Sequence, residues 1–296
     1  MAGADRIATA IAVSQAGFPI DHSAAVVVLA RADQFTDALA GGPLAARFDG
    51  PLLLTTSAGI TAAVATEIAR VLPANHTVYL LGGSQALAAG TEAQITSLGF
   101  IPMRFPGVDR YDTAIKIAQY LGGPNAIFEA DGTSFPDGLS AGPAAAMTQG
   151  VVVLTEANHL PAATSTYLAT HSGVVRYAIG GPAAAADPQA QAIVGADRYE
   201  TSVAVARKFF TSPATIGTAS GAAFPDALSG GPVSALANGP LVLVPPGGTL
   251  PASAQAYFAG LSNTVVSAWL FGDTGAVSTA MANQIAQALV LVPPPS

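Results

Sequence analysis

Cysteine is absent from the 296 residues. No disulfide can therefore hold this fold, and a chain of this size has to be stabilised by burial alone. Charge is scarce as well. Charged residues make up 10%, lysine occurs only at Lys116 and Lys208, and the formal net charge is −7. Such a balance argues against nucleic acid as a partner, because phosphate binding leaves a basic footprint. It also sits poorly with a polyanionic partner unless arginines concentrate locally. No apolar run reaches the length of a membrane span. Met1-Ala2-Gly3-Ala4-Asp5-Arg6 contains no apolar signal-peptide core, so an exported fragment with its signal already removed is the expectation. The four histidines, His22, His76, His159 and His171, show neither metal-ligand spacing nor a triad arrangement. Neither G-x-G-x-x-G nor G-x-x-x-x-G-K-[ST] occurs. The expectation is a protein without cofactor or metal, and not an enzyme.

What the chain does have is repetition. Phe35-Thr36-Asp37-Ala38-Leu39-Ala40-Gly41-Gly42-Pro43 returns as Phe135-Pro136-Asp137-Gly138-Leu139-Ser140-Ala141-Gly142-Pro143, and again as Phe224-Pro225-Asp226-Ala227-Leu228-Ser229-Gly230-Gly231-Pro232. The copies lie 100 and 89 residues apart, which marks modules of domain size and not a short solenoid repeat. Ahead of them stand Gly3-Ala4-Asp5-Arg6, Gly107-Val108-Asp109-Arg110 and Gly195-Ala196-Asp197-Arg198, each with a threonine three residues on. After them come the apolar runs Leu52–Thr55, Val151–Thr155 and Leu241–Val244. Each unit then offers a strand that ends on a glycine: Gly82, Gly180 or Gly272.

Taken together, these landmarks resemble the cell wall-binding repeat 2 family, whose modules stand in threes in surface-layer and other wall-attached proteins of Gram-positive bacteria. The resemblance covers essentially residues 1–290. It implies noncovalent attachment of a secreted protein to an anionic wall polymer, polysaccharide or teichoic in type. The implied place is extracellular, on the cell wall.

The residues divide into module 1 at 1–106, module 2 at 107–194 and module 3 at 195–292, with 293–296 as the start of a proline-rich linker. Apolar strands alternating with helices predict parallel βαβ units. Their strands are continuously apolar, as when helices cover both sheet faces. The fold class expected is α/β: three tandem doubly wound modules, topoisomerase–primase-like or Rossmann-like, set about a pseudo-threefold axis in one monomeric chain. The glycines and prolines of Gly42-Pro43, Gly142-Pro143 and Gly231-Pro232 interrupt helical sequence, so a neighbouring module should approach closely there. From Gly181 to Gly195 module 2 is ten residues shorter than the matching stretch of module 1, predicting a stub in place of its last helix. A strand over Leu289–Val292 is expected to complete a sheet and to close the ring of three.

Parallel sheets bind ligands beyond the carboxyl ends of their strands. Asp5, Asp109 and Asp197 read as helix N-caps, with Asp197 and Glu200 spaced as a capping box. Arg6, Arg110 and Arg198 recur in all three modules and carry the fork that suits phosphate or carboxylate. They are the expected polymer contacts; an intermodule ion pair with Asp37, Asp137 or Asp226 stays open beside that role. These aspartates, with Gly82, Gly180 and Gly272, are expected to support the site. Three modest sites on one polymer would add avidity. Arg31, Arg47, Arg104 and Arg176 do not recur and read as surface or packing residues. Two other functions stay open: a self-associating unit of a surface array, or a nucleotide- or phosphate-binding Rossmann-like protein.

Overall fold

The computed structural model of the chain describes residues 1–290. The expected linker at 293–296, and residues 291–292 of the expected last strand, lie outside the described residues. No helix among the described residues is long and apolar enough to cross a membrane.

Module 1 runs α1 (Arg6–Gly17), β1 (Val26–Arg31), α2 (Gly41–Arg47), β2 (Leu52–Thr55), α3 (Ala62–Val71), β3 (Thr77–Leu81), α4 (Gly90–Ser97) and β4 (Ile101–Phe105). Module 2 repeats this as α5 (Arg110–Leu121), β5 (Ala126–Asp131), α6 (Pro136–Met147), β6 (Val151–Thr155), α7 (Ala162–Thr170), β7 (Val175–Ile179), α8 (Gly181–Ala186) and β8 (Gln191–Ile193). Module 3 comprises α9 (Arg198–Phe209), β9 (Thr215–Ser220), α10 (Pro225–Leu236), β10 (Leu241–Val244), α11 (Ala252–Ala259), β11 (Ser267–Phe271) and α12 (Thr279–Ala288). The sheets are parallel, ordered β2-β1-β3-β4, β6-β5-β7-β8 and β10-β9-β11. The stub expected in module 2 is the six-residue α8, which starts directly behind Gly180.

Each central strand is buried on both faces, which is why it reads as a continuous apolar run. In β1, Val26, Val28 and Ala30 face a core that runs through all three modules. Val27 and Leu29 face a second core, shared with Val64 and Ile68 of α3 and Ile95 of α4. The first helix of each module also packs on its predecessor. Tyr120 of α5 meets Tyr79 of β3, hydroxyl to hydroxyl at 2.8 Å, and Phe209 of α9 meets Tyr177 of β7 with centroids 5.0 Å apart.

The three motif helices α2, α6 and α10 meet one another at the threefold axis. A Cβ on Gly42 would lie 3.7 Å from Gly142 Cα, and one on Gly231 would lie 3.7 Å from Pro143 Cγ. The neighbouring module is therefore in ordinary contact, as the glycine-proline pairs foretold. The tighter constraint lies one residue earlier. A Cβ on Gly41 or Gly230 would run into Leu81 or Phe271 of the module's own sheet. At one end of the axis the rings of Phe35, Phe135 and Phe224 close on one another, with centroids 5.6 to 6.0 Å apart. Proline at the first helical turn is preorganised for the helix, and α6 and α10 begin at Pro136 and Pro225. Thr36 stands at this position in module 1, and α2 begins only at Gly41.

The closure of the ring differs from the expectation. In module 1 the amide of Gly82 donates to Phe105 O at 3.0 Å, and in module 2 Gly180 donates to Ile193 O at 3.0 Å. In module 3 Gly272 donates to Met1 O at 2.9 Å, and the Met1 ammonium donates to Leu270 O at 2.7 Å. The N-terminus thus takes the edge place. Leu289 and Val290 form a turn that ends α12, with Val290 at φ 57°, so the described part of the expected strand is not extended.

Candidate functional site at the module junctions

Every Asp-Arg pair starts a helix. Asp5 Oδ1 accepts from the Ala8 amide at 2.8 Å, Asp109 Oδ1 from Asp112 at 2.8 Å, and Asp197 Oδ1 from Tyr199 and Glu200 at 2.9 Å. These are the N-caps expected. The capping box is displaced by one residue: Glu200 Oε2 accepts from the Ala196 amide at 2.9 Å, not from Asp197.

A capped helix start fixes where the next side chain goes. Arg6 Nη1 donates to Ala32 O at 2.8 Å, Arg110 Nη1 to Gly132 O at 2.6 Å, and Arg198 Nη1 to Gly221 O at 2.6 Å. Those carbonyls are the first beyond β1, β5 and β9, at the carboxyl rim of each sheet. The guanidinium of Arg6 also lies over Phe224 and that of Arg198 over Phe135, each 5.6 Å from the ring centroid. Each ring belongs to the preceding module, so these contacts cross a junction. Cation–π contacts of this kind hold the guanidinium plane against the ring while leaving its edge open. Arg6 and Arg198 are exposed and Arg110 is half-buried.

The motif aspartates complete the junctions from the other side. Asp37 feels the charge of Arg110, Asp137 that of Arg198, and Asp226 that of Arg6. Among the described residues none of these pairs closes to an ion pair. Each carboxyl instead lies against a glycine of its own module. A Cβ on Gly82, Gly180 or Gly272 would strike Asp37, Asp137 or Asp226, and the three glycines have φ of 92°, 86° and 104°. Burial raises all three carboxyls above the ordinary Asp range, with the arginines opposing. Asp137 is pushed up to about 6, by burial first and then by Asp131.

Between modules 1 and 2 the junction opens into a cleft of about 370 Å³, lined among others by Asp37, Gly83, Ser84, Gln85, Asp109 and Arg110. That size falls within the range of small-ligand sites. Arg31 lines it too. Repetition gave no reason to single Arg31 out, because its counterparts are not arginines; only the folded arrangement shows where it points. Glu129 and Asp131, the acidic pair found only in module 2, gather no third metal-type ligand among the described residues.

Three parallel-sheet modules around one axis, with Arg and Asp meeting at their junctions, define a class: single-chain pseudo-trimers of α/β repeats. Within it, the chain belongs to the cell wall binding domain 2 (CWB2) family, whose model matches residues 1–92, 104–188 and 192–282. It is thus a wall-associated protein built from three such domains. It is 26% identical over 294 residues to N-acetylmuramoyl-L-alanine amidase LytC of Bacillus subtilis, covering 97% of this chain and 58% of the amidase. It is 31% identical over 160 residues to the amidase enhancer of the same organism, covering 54% of this chain and 22% of that protein. Cwp8 and Cwp6 from Clostridium difficile share its fold, each with a TM-score of 0.86 and 25% identity. The likeness covers 98% and 99% of this chain, and 51% and 48% of theirs. The chain spans less than two thirds of each of these relatives.

Proposed function

We propose that the chain anchors a secreted protein noncovalently to the Gram-positive cell wall by binding an anionic wall polymer in the junction clefts, with Arg6, Arg110 and Arg198 as contacts. One observation carries this reading. Each arginine spends one nitrogen on a backbone carbonyl of its own module and forms no carboxylate ion pair among the described residues, so the rest of its fork faces the junction. A guanidinium fixed in this way offers parallel N–H donors to phosphate or carboxylate. Asp37, Asp137 and Asp226 support the clefts by seating against Gly82, Gly180 and Gly272 and can accept sugar hydroxyls. The function is binding and not catalysis: the second acid that recurs in each module, Asp5, Asp109 or Asp197, is engaged in capping a helix. The wall activities of LytC and of its enhancer fit a common need for attachment to the wall.

The test is retention on purified Gram-positive walls, before and after mild acid has removed phosphodiester polymers. Changing Arg6, Arg110 and Arg198 together to Gln is expected to lower retention at least tenfold, since hydrogen bonds to charged groups are strong. The thermal midpoint should move little, because no buried ion pair is broken. Wild-type retention should also fall with added salt. A folded triple variant that holds walls as tightly as the wild type refutes the reading.

A further inference from the structure

The three junctions are alike in their repeated residues and unlike in what surrounds them. The last residue of each central strand aims at the rim. Arg31, Asp131 and Ser220 are equivalent there, since they pair with Thr55, Thr155 and Val244 at the ends of the neighbouring strands. Only the junction between modules 1 and 2 therefore carries a second guanidinium. Asp33 holds Arg31 in two parallel bonds of 2.6 and 2.7 Å, and Arg31 Nη1 reaches Gln85 O at 3.4 Å.

The turns behind Gly82, Gly180 and Gly272 differ in the same direction. In module 1 the amides of Gly83, Ser84 and Gln85 donate to nothing among the described residues. The carbonyl side of this turn is taken up instead by Arg104, whose Nη1 donates to Gly82, Gly83 and Leu87 at 2.9 to 3.2 Å. The turn is thereby held with its carbonyls occupied and its N–H groups free, a ready concavity for an anion. In module 2 Pro182 stands in place of Ser84 and has no N–H to give. In module 3 Asp273 replaces Gly83, and its Oδ1 already accepts from Gly275 and Ala276 at 2.9 and 3.1 Å. A carboxylate of the chain itself thus occupies the Gly275 amide, the counterpart of Gln85.

Resting on the binding reading above, we infer that the cleft between modules 1 and 2 is the dominant polymer site, with Arg31 as an additional contact, and that it takes one sugar unit bearing an oxyanion. The oxyanion sits between Arg31, Arg110 and the amides of Ser84 and Gln85, and a ring hydroxyl donates to Asp37. The cleft of about 370 Å³ gives room for such a unit. Anchoring by one principal site replaces the picture of three equal ones.

Four single variants, Arg31→Gln, Arg110→Gln, Arg6→Gln and Arg198→Gln, are compared for retention on purified walls, with thermal midpoints measured on each. The first two should lose about tenfold and the last two much less. Arg31→Lys should keep part of the affinity, and Asp33→Asn should bind at least as well as wild type because it releases Arg31. If all three junction arginines weaken binding equally while Arg31→Gln does not, the dominance of this cleft is overturned and the junction reading survives. If no arginine variant weakens binding, the junction reading itself fails. Glucose 1-phosphate and glucuronate, as soluble competitors at millimolar concentration, separate the two oxyanions. Displacement by the first alone assigns a phosphate, by the second alone a carboxylate, and by neither overturns the assignment of a sugar oxyanion.

Discussion

At the scale of single residues, Glu129 is the clearest departure from the repeat. Its place on the central strand is taken by Leu29 in module 1 and by Thr218 in module 3, yet it is fully buried and neither oxygen has a hydrogen-bond partner among the described residues. Burial, then the neighbouring Asp187, push it up to about 8, with Arg176 opposing. A folded-state value above the unfolded one means that the folded chain holds a proton the unfolded chain releases. The stabilising contribution is then complete below the ordinary Glu range and is lost as pH rises through about 8. Wild-type stability should fall relative to Glu129→Gln between pH 5 and 8, by about 1.4 kcal/mol per pH unit at most; urea melts across this range would show it. Parallel pH profiles for the two proteins would rule it out. Gly180 gives a second residue-scale prediction. Gly180→Ala puts a Cβ into Asp137 at a φ of 86°. The backbone conformation alone costs about 1–3 kcal/mol, so the urea midpoint should drop while the slope of the transition is kept.

At the scale of elements, the helix caps do more than end a helix. Asp109 caps α5 and so fixes the direction in which Arg110 leaves the helix start, toward Gly132 O. Asp109→Ala should cost about 1 kcal/mol of stability, and Asp109→Asn much less, because asparagine caps as well as aspartate. If the cap also orients Arg110, wall retention should weaken in the Ala variant and recover in the Asn variant. Equal retention in both would separate the cap from the cleft. The edge of each sheet makes a related point. Phe105, Ile193 and Met1 are equivalent, each standing two residues before the glycine that opens the next module and each bonded to the turn of the preceding sheet. One short segment therefore ends one module's sheet and begins the next module's first helix.

At the scale of the whole molecule, one core runs through all three modules and the motif helices meet on the axis. Modules joined through a shared core unfold together. Calorimetry should show a single transition, and scattering a compact particle with a radius of gyration of about 19 Å, the value for a compact chain of this length. Three resolved transitions, or the larger radius of beads on a string, would contradict this packing.

The threefold repeat, the order of strands and helices, the caps at Asp5, Asp109 and Asp197, and the stub in module 2 were all legible in the sequence. Each depends on neighbours within a few residues or on comparison between copies. Repetition establishes which residues are equivalent, but it does not say which ones touch. That Arg6 meets Phe224 and Asp226 from the far end of the chain is a matter of ring closure, which only the packing of α2, α6 and α10 decides. For the same reason the third edge position goes to Met1, where a strand at 289–292 had been expected. Arg31 and Arg104 read only as surface or packing residues in the sequence because they do not recur. Their roles depend on a turn whose amides happen to be free, and on a cleft that exists only once two modules have docked.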